Sequence, residues 1–107
     1  MATAPKSQVL QMTELASYQE GSVVSHQITK EDAGNITLFA FDESQELSEH
    51  TAPFDAVVHV LDGEAEVRIS GTLHNLKAGD AIIMPANEPH ALKALTRFKM
   101  LLTMIRG

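Results

Sequence analysis

The chain contains no cysteine. That excludes a disulfide framework and any thiolate metal centre, leaving histidine, carboxylate and water as the available metal ligands. Positive charge is scarce too: 8 Lys and Arg stand against 14 Asp and Glu, a formal net charge of −6. The basic residues are scattered singly, so the clustered cations that grip a phosphate backbone are missing and no nucleic-acid partner is expected. No apolar run approaches the ~20 residues of a membrane span. The opening Met1-Ala2-Thr3-Ala4-Pro5-Lys6 does not read as a signal peptide. A soluble cytoplasmic protein without membrane association is the expectation.

What is present is a regular beat of turn residues. Gly34, Asp42 to Ser44, Pro53, Asp62-Gly63, Gly71, Gly79 and Pro85 to Pro89 punctuate the chain, at roughly the 8–12-residue spacing of an all-β sandwich or barrel. Between them Glu64 to Ser70 alternates cleanly, with Ala65, Val67 and Ile69 on one face and Glu64, Glu66 and Arg68 on the other. Ile36 to Phe41 and Ala56 to Leu61 are more continuously apolar, as in strands covered on both faces. Thr13 to Tyr18 offers at most one helical turn, and Asp42, Glu43, Glu46 and Glu49 read as a solvated loop. The 107 residues form one domain, with residues 1–8 loose and a core barrel over 36–105. Phe98 to Ile105 is apolar on both faces apart from Lys99 and Thr103. Its second face needs a cover, and the reading is a homodimer interface, with the N-terminal segment as the alternative.

Two stretches carry chemistry. The first is Glu49-His50-Thr51-Ala52-Pro53-Phe54-Asp55-Ala56, running on to Val60-Leu61-Asp62-Gly63-Glu64-Ala65. The second is Gly79-Asp80-Ala81-Ile82-Ile83-Met84-Pro85-Ala86-Asn87-Glu88-Pro89-His90. Its Gly79-Asp80 turns the chain, Ala81 to Met84 is a strand, Pro85 to Pro89 is a rigid return, and His90 opens the next strand. Together the two resemble the paired motifs of the cupin superfamily in its small, single-domain "cupin 2" form. The resemblance implies an antiparallel double-stranded β-helix, a jelly-roll barrel.

In metal-binding cupins the first motif supplies two histidines and a carboxylate or amide, and the second supplies a third histidine. Carried over, His50 matches the first histidine and His90 the third, while Ala52 and Ala56 stand where the other two ligands would be. Ser44 and Asn87 occupy positions where the family has glycine. A protein-built site needs three or four ligands at about 2.0–2.2 Å, and two imidazoles fall short. Asp55 is the nearest substitute, but strand parity turns it away from Ala56 unless a bulge near Pro53 re-aims it.

Two functions therefore stay open. One is a barrel that binds a small molecule, with His50 and His90 as polar anchors among Ala52, Phe54 and Ala56, and with a reduced or absent metal site. The other is a metal-dependent enzyme of dioxygenase or isomerase type, whose two-histidine site, holding Zn, Ni, Fe or Cu, is completed by water or substrate. His26, His59 and His74 read as ordinary polar residues.

Overall fold

The computed structural model describes residues 3–106. A short 3-10 turn (Met12–Glu14) precedes nine strands: β1 (Val23–Glu31), β2 (Gly34–Phe41), β3 (Glu46–His50), β4 (Asp55–Asp62), β5 (Glu64–Ile69), β6 (Thr72–Lys77), β7 (Ala81–Met84), β8 (His90–Ala94) and β9 (Phe98–Ile105). All the pairings are antiparallel. They form a five-stranded sheet ordered β1-β2-β9-β4-β7 and a four-stranded sheet ordered β3-β8-β5-β6. No hydrogen-bonded ladder joins the two sheets among the described residues, so the jelly roll is open along both seams. No helix among those residues is long and apolar enough to cross a membrane.

Strand parity builds the core between the sheets. Ala56, Val58 and Val60 of β4 point inward with Phe98 and Met100 of β9, and meet Ala65, Val67, Leu92 and Ala94 from the facing sheet. Phe41 and Phe98 stack at its centre, ring centroids 4.6 Å apart and 24° between planes. Met84 and Met100 are fully buried gap-fillers, and Met104 packs against them at the edge of the cluster.

The larger sheet carries a second, smaller core on its outer face. Leu38, Ala40 and Ile28 are buried there with Ala16, and Ala4, Leu10, Met12, Leu15 and Tyr18 pack over them beside Leu61 and Leu101. The N-terminal segment therefore lies across part of the apolar outer face of β9. Ala4 N–H donates to Ile28 O (2.9 Å), and the Lys99 ammonium donates to Thr13 O. The Tyr18 hydroxyl donates to Asp62 Oδ2 at 2.5 Å, while Arg97 and Lys99 sit over its ring at 5.5 and 4.9 Å from the centroid. Burial, then that bond to Asp62, pushes the Tyr18 phenol up from its usual range. Nearby, Asp42 accepts from Gly21 N–H, from Arg97 Nε–H and from Glu43 N–H. Those bonds hold its carboxyl at about 2.

Two differences from the sequence reading matter. β1 joins the larger sheet ahead of the expected 36–105 core, and Glu46 and Glu49 lie in a strand rather than in a loop. β3 escapes recognition because its burial scarcely alternates, with Leu47 as its one partly covered residue. Ser44 and Asn87, standing where the family uses glycine, both adopt positive φ (71° and 66°). Asparagine tolerates this left-handed region better than most residues.

Candidate functional site

Every strand runs antiparallel to its neighbours, so strand ends collect at two poles of the barrel. One pole gathers the ends of β1, β3, β5, β7 and β9 with the starts of β2, β4, β6 and β8. His50 closes β3 and His90 opens β8, and the two are register partners. By simple alternation His50 would face away from Leu47. Between the pairs Leu47↔Leu92 and His50↔His90, however, two residues of β3 oppose only Ala91 of β8. This bulge re-aims His50 so that it and Leu47 point to the same side. Nothing in the local sequence marks it.

The rings meet edge to face, centroids 4.4 Å apart at 73°, with Nε2 to Nε2 at 3.2 Å. His90 is only 4 % exposed, whereas His50 reaches solvent. His50 Nδ1 lies 2.8 Å from Ser48 O and His90 Nδ1 lies 3.2 Å from Glu88 O. A carbonyl oxygen only accepts, so each Nδ1 carries the hydrogen and donates. Each neutral ring then presents a bare lone pair at Nε2, and the two lone pairs face one another. Three contacts need three protons, and two neutral imidazoles hold two. The pair is therefore built to receive: a proton, a cation, or an O–H or N–H donor completes it.

A proton is disfavoured at the inner ring. Burial, then the charge of His50, lowers the His90 pKa from 6.5, while its bond to Glu88 O opposes this. The folded pKa lies below the unfolded one, so His90 contributes stability above about pH 6.5 that is lost as pH falls through the folded value. Urea unfolding at stepped pH checks this: replacing His90 with Gln should flatten the decline in stability below pH 6.5 that the parent protein shows.

The opposite wall comes from the larger sheet. Across it the last inward row runs Asn35–Met104–Ala56–Met84 in register. In the smaller sheet the corresponding row is His50–His90–Ile69–Thr72. Ala56 and Met84 are buried (2 % exposed each), and Ala52 is half-buried, its carbonyl accepting from Asn87 N–H at 2.7 Å. Asn35 is the residue that sequence reasoning missed; an asparagine near a strand end reads as a turn former, and only the register reveals its inward face.

Other singled-out residues fall elsewhere. Asp55 is exposed and its carboxylate accepts from Ala86 N–H at 2.8 Å. Phe54 lines a separate hollow of about 240 Å³ with Pro53, Ala86 and Ile105, under the Arg106 guanidinium, which is 5.9 Å from its ring centre. His59 lies opposite Leu101 and Ala81, on the outer face between buried Val58 and Val60. His26 faces the outer side of β2 opposite Leu38, and His74 pairs with Val67 on β6, toward the inner face. A concavity of about 420 Å³ over Ala91, on the outside of the smaller sheet, is rimmed by Glu46, Glu49, Glu66, Arg68 and Lys93. Its charges answer one another, as in Arg68 with Glu49 at 3.7 Å.

The donor set does not fit the metal site that the fold implies. Among the described residues no three His, Cys, Asp or Glu side chains gather as a ligand cluster. Ala52 and Ala56 contribute no donor, and Asp55 is engaged elsewhere.

Fold and site together define a small two-sheet β-barrel protein with a two-histidine pole. The chain belongs to the cupin family, whose cupin-domain profile matches residues 37–105. It is 32 % identical to a conserved protein of unknown function from Streptococcus pyogenes, over 100 % of this chain and 96 % of that one, with a TM-score of 0.91. A cupin superfamily protein from Desulfitobacterium hafniense is 27 % identical with a TM-score of 0.91, over 99 % and 97 % of the two chains. A cupin 2 conserved barrel domain protein from Leptotrichia buccalis is 36 % identical with a TM-score of 0.88, covering 91 % of this chain and 47 % of that one. No curated protein matches the sequence.

Proposed function

We propose that this cupin binds a small organic molecule at the His50–His90 pole, without a metal ion held by protein ligands alone. The observation that carries the reading is the imidazole pair itself. Two Nε2 lone pairs meet at 3.2 Å with each Nδ1 committed to a backbone carbonyl, while alanines occupy the places of the missing ligands. Such a site has apolar walls and a few convergent polar atoms, the ordinary composition of a ligand pocket.

One observation favours the metal-dependent alternative. Two imidazoles bound to a tetrahedral ion at about 2.0–2.1 Å stand roughly 3.3–3.4 Å apart, close to the 3.2 Å found. Elemental analysis of untagged protein, with titration by zinc, nickel, iron and copper, separates the two. The expected result is no stoichiometric metal and only weak uptake. Tight stoichiometric metal, abolished by both His50→Ala and His90→Ala, would establish the alternative.

A homodimer completes the reading. The N-terminal segment leaves Ile83 and Ile105 more than half exposed on the larger sheet, with Val57 and Thr103 between them in register. Light scattering should give twice the chain mass, and a strict monomer would remove this part of the proposal.

A further inference from the structure

Beyond the histidines, this pole holds a polar atom that none of the described residues satisfies. The side-chain oxygen of Asn35 is buried and has no hydrogen-bond partner among the described residues. Its register partner is Met104, which packs on the inner core, whereas neighbouring Ile36 belongs to the outer cluster. Asn35 therefore shares the inward face with Ala56 and Met84, in the last row before the strand ends that also carry His50 and His90. Leaving a buried acceptor unsatisfied destabilises the fold, and a donor arriving there would relieve that cost.

Resting on the small-molecule reading above, we infer that the ligand of this pole is an uncharged, polyhydroxylated molecule whose hydroxyls donate to Asn35 Oδ1 and to the Nε2 atoms of His50 and His90. Elimination by charge supports the class. A carboxylate or phosphate would want a cation, but Arg68 lies on the outer face with Glu49 and Arg106 sits over Phe54. Lys30, beside Asn35 on β1, is exposed. An ammonium ion would want a carboxylate, but Asp55 is engaged by Ala86 N–H and Glu88 by the Ser70 hydroxyl. Neither charge would be paired on burial, which is costly. The atoms left without a partner, Asn35 Oδ1 and the facing Nε2 lone pairs, are acceptors, and hydroxyl groups on a short carbon chain complement both them and the methionine and alanine walls.

The test is NMR on the labelled, chelator-treated full chain, titrated separately with erythritol, succinate and methylammonium. Erythritol should shift the ring Cε1–H signals of His50 and His90 together with the Asn35 amide along one saturating curve. Asn35→Leu should weaken that binding by about fivefold to tenfold and leave the melting temperature unchanged or raised, because it removes an orphaned polar group. Asn35→Ser, which keeps a hydroxyl and avoids added bulk, serves as the second variant and should bind between the two. Saturable binding of succinate or methylammonium in place of erythritol would overturn the class while leaving the small-molecule reading intact. Erythritol shifts that never saturate, or a lowered melting temperature with unchanged erythritol binding in Asn35→Leu, would reduce Asn35 to a structural amide held by ordered water. If all three probes fail and His-dependent stoichiometric metal is found, the parent reading falls as well.

Discussion

Replacing Phe98 with Ala is expected to cost about 3–5 kcal/mol, a large fraction of a domain's total margin of about 5–15 kcal/mol. Phe98 is fully buried and stacked on Phe41 at 4.6 Å. It opens β9, the strand that pairs with both β2 and β4. The loss has two parts: transfer of the ring out of water is forfeited, and a void is left under Phe41 that Met100 and Met84 of the same cluster can fill only in part. Val60 and Ala65 are fully buried members of the same cluster and belong to separate sheets, so closing the void means moving one sheet toward the other. Chemical denaturation should show a lower midpoint with an unchanged slope. A cost below about 1 kcal/mol would mean that the core collapses freely and that the stack is not its keystone. Phe98→Leu should recover more than half of the loss.

The second large effect is expected at Gly63, between β4 and β5. Its φ is +77°, and an added Cβ would overlap the Arg97 carbonyl oxygen and stand 2.9 Å from Phe98 Cα. Both obstacles are backbone, held where Leu95 and Thr96 N–H donate to Glu64 O and Glu64 N–H donates to Thr96 Oγ1. Gly63→Ala therefore adds a steric clash to the conformational cost, and should lose about 3 kcal/mol or more. Gly71→Ala is the internal control: φ is +85° but the space beyond is open, so it should cost only about 1–2 kcal/mol. Equal losses at the two glycines, measured by the same unfolding curve, would show that the close approach of Arg97 is relieved by a small backbone shift.

Much of the architecture was legible because turn residues and alternation are local signals. Ala81–Met84 and Phe98–Ile105 begin and end where the sequence places them. β3 was hidden because Leu47 is its one partly covered residue and the bulge before His50 breaks its alternation, and β1 because the N-terminal segment that covers it carries its apolar residues irregularly. The sequence offers that segment as cover for the outer face only as the alternative to a second copy, and Leu10, Met12 and Leu15 are the apolar residues that speak for it. At the pole, the motif named His50 and His90, but the bulge that turns His50 toward its partner depends on register with a strand forty residues away in sequence. Asn35 was invisible for the same reason. Its inward face follows from pairing with Met104, a contact no local window contains.

The position of β9 reaches beyond packing. It lies at the centre of the larger sheet, although a ribosome makes it after the other eight described strands. Until it emerges, the β1–β2 hairpin lacks its partner along β2 and the β4–β7 pair lacks its partner along β4. Such sequence-distant pairing slows folding and prolongs the life of open, sticky intermediates. The nascent chain should thus acquire protease resistance late and in a single step, once the residues of β9 clear the exit tunnel.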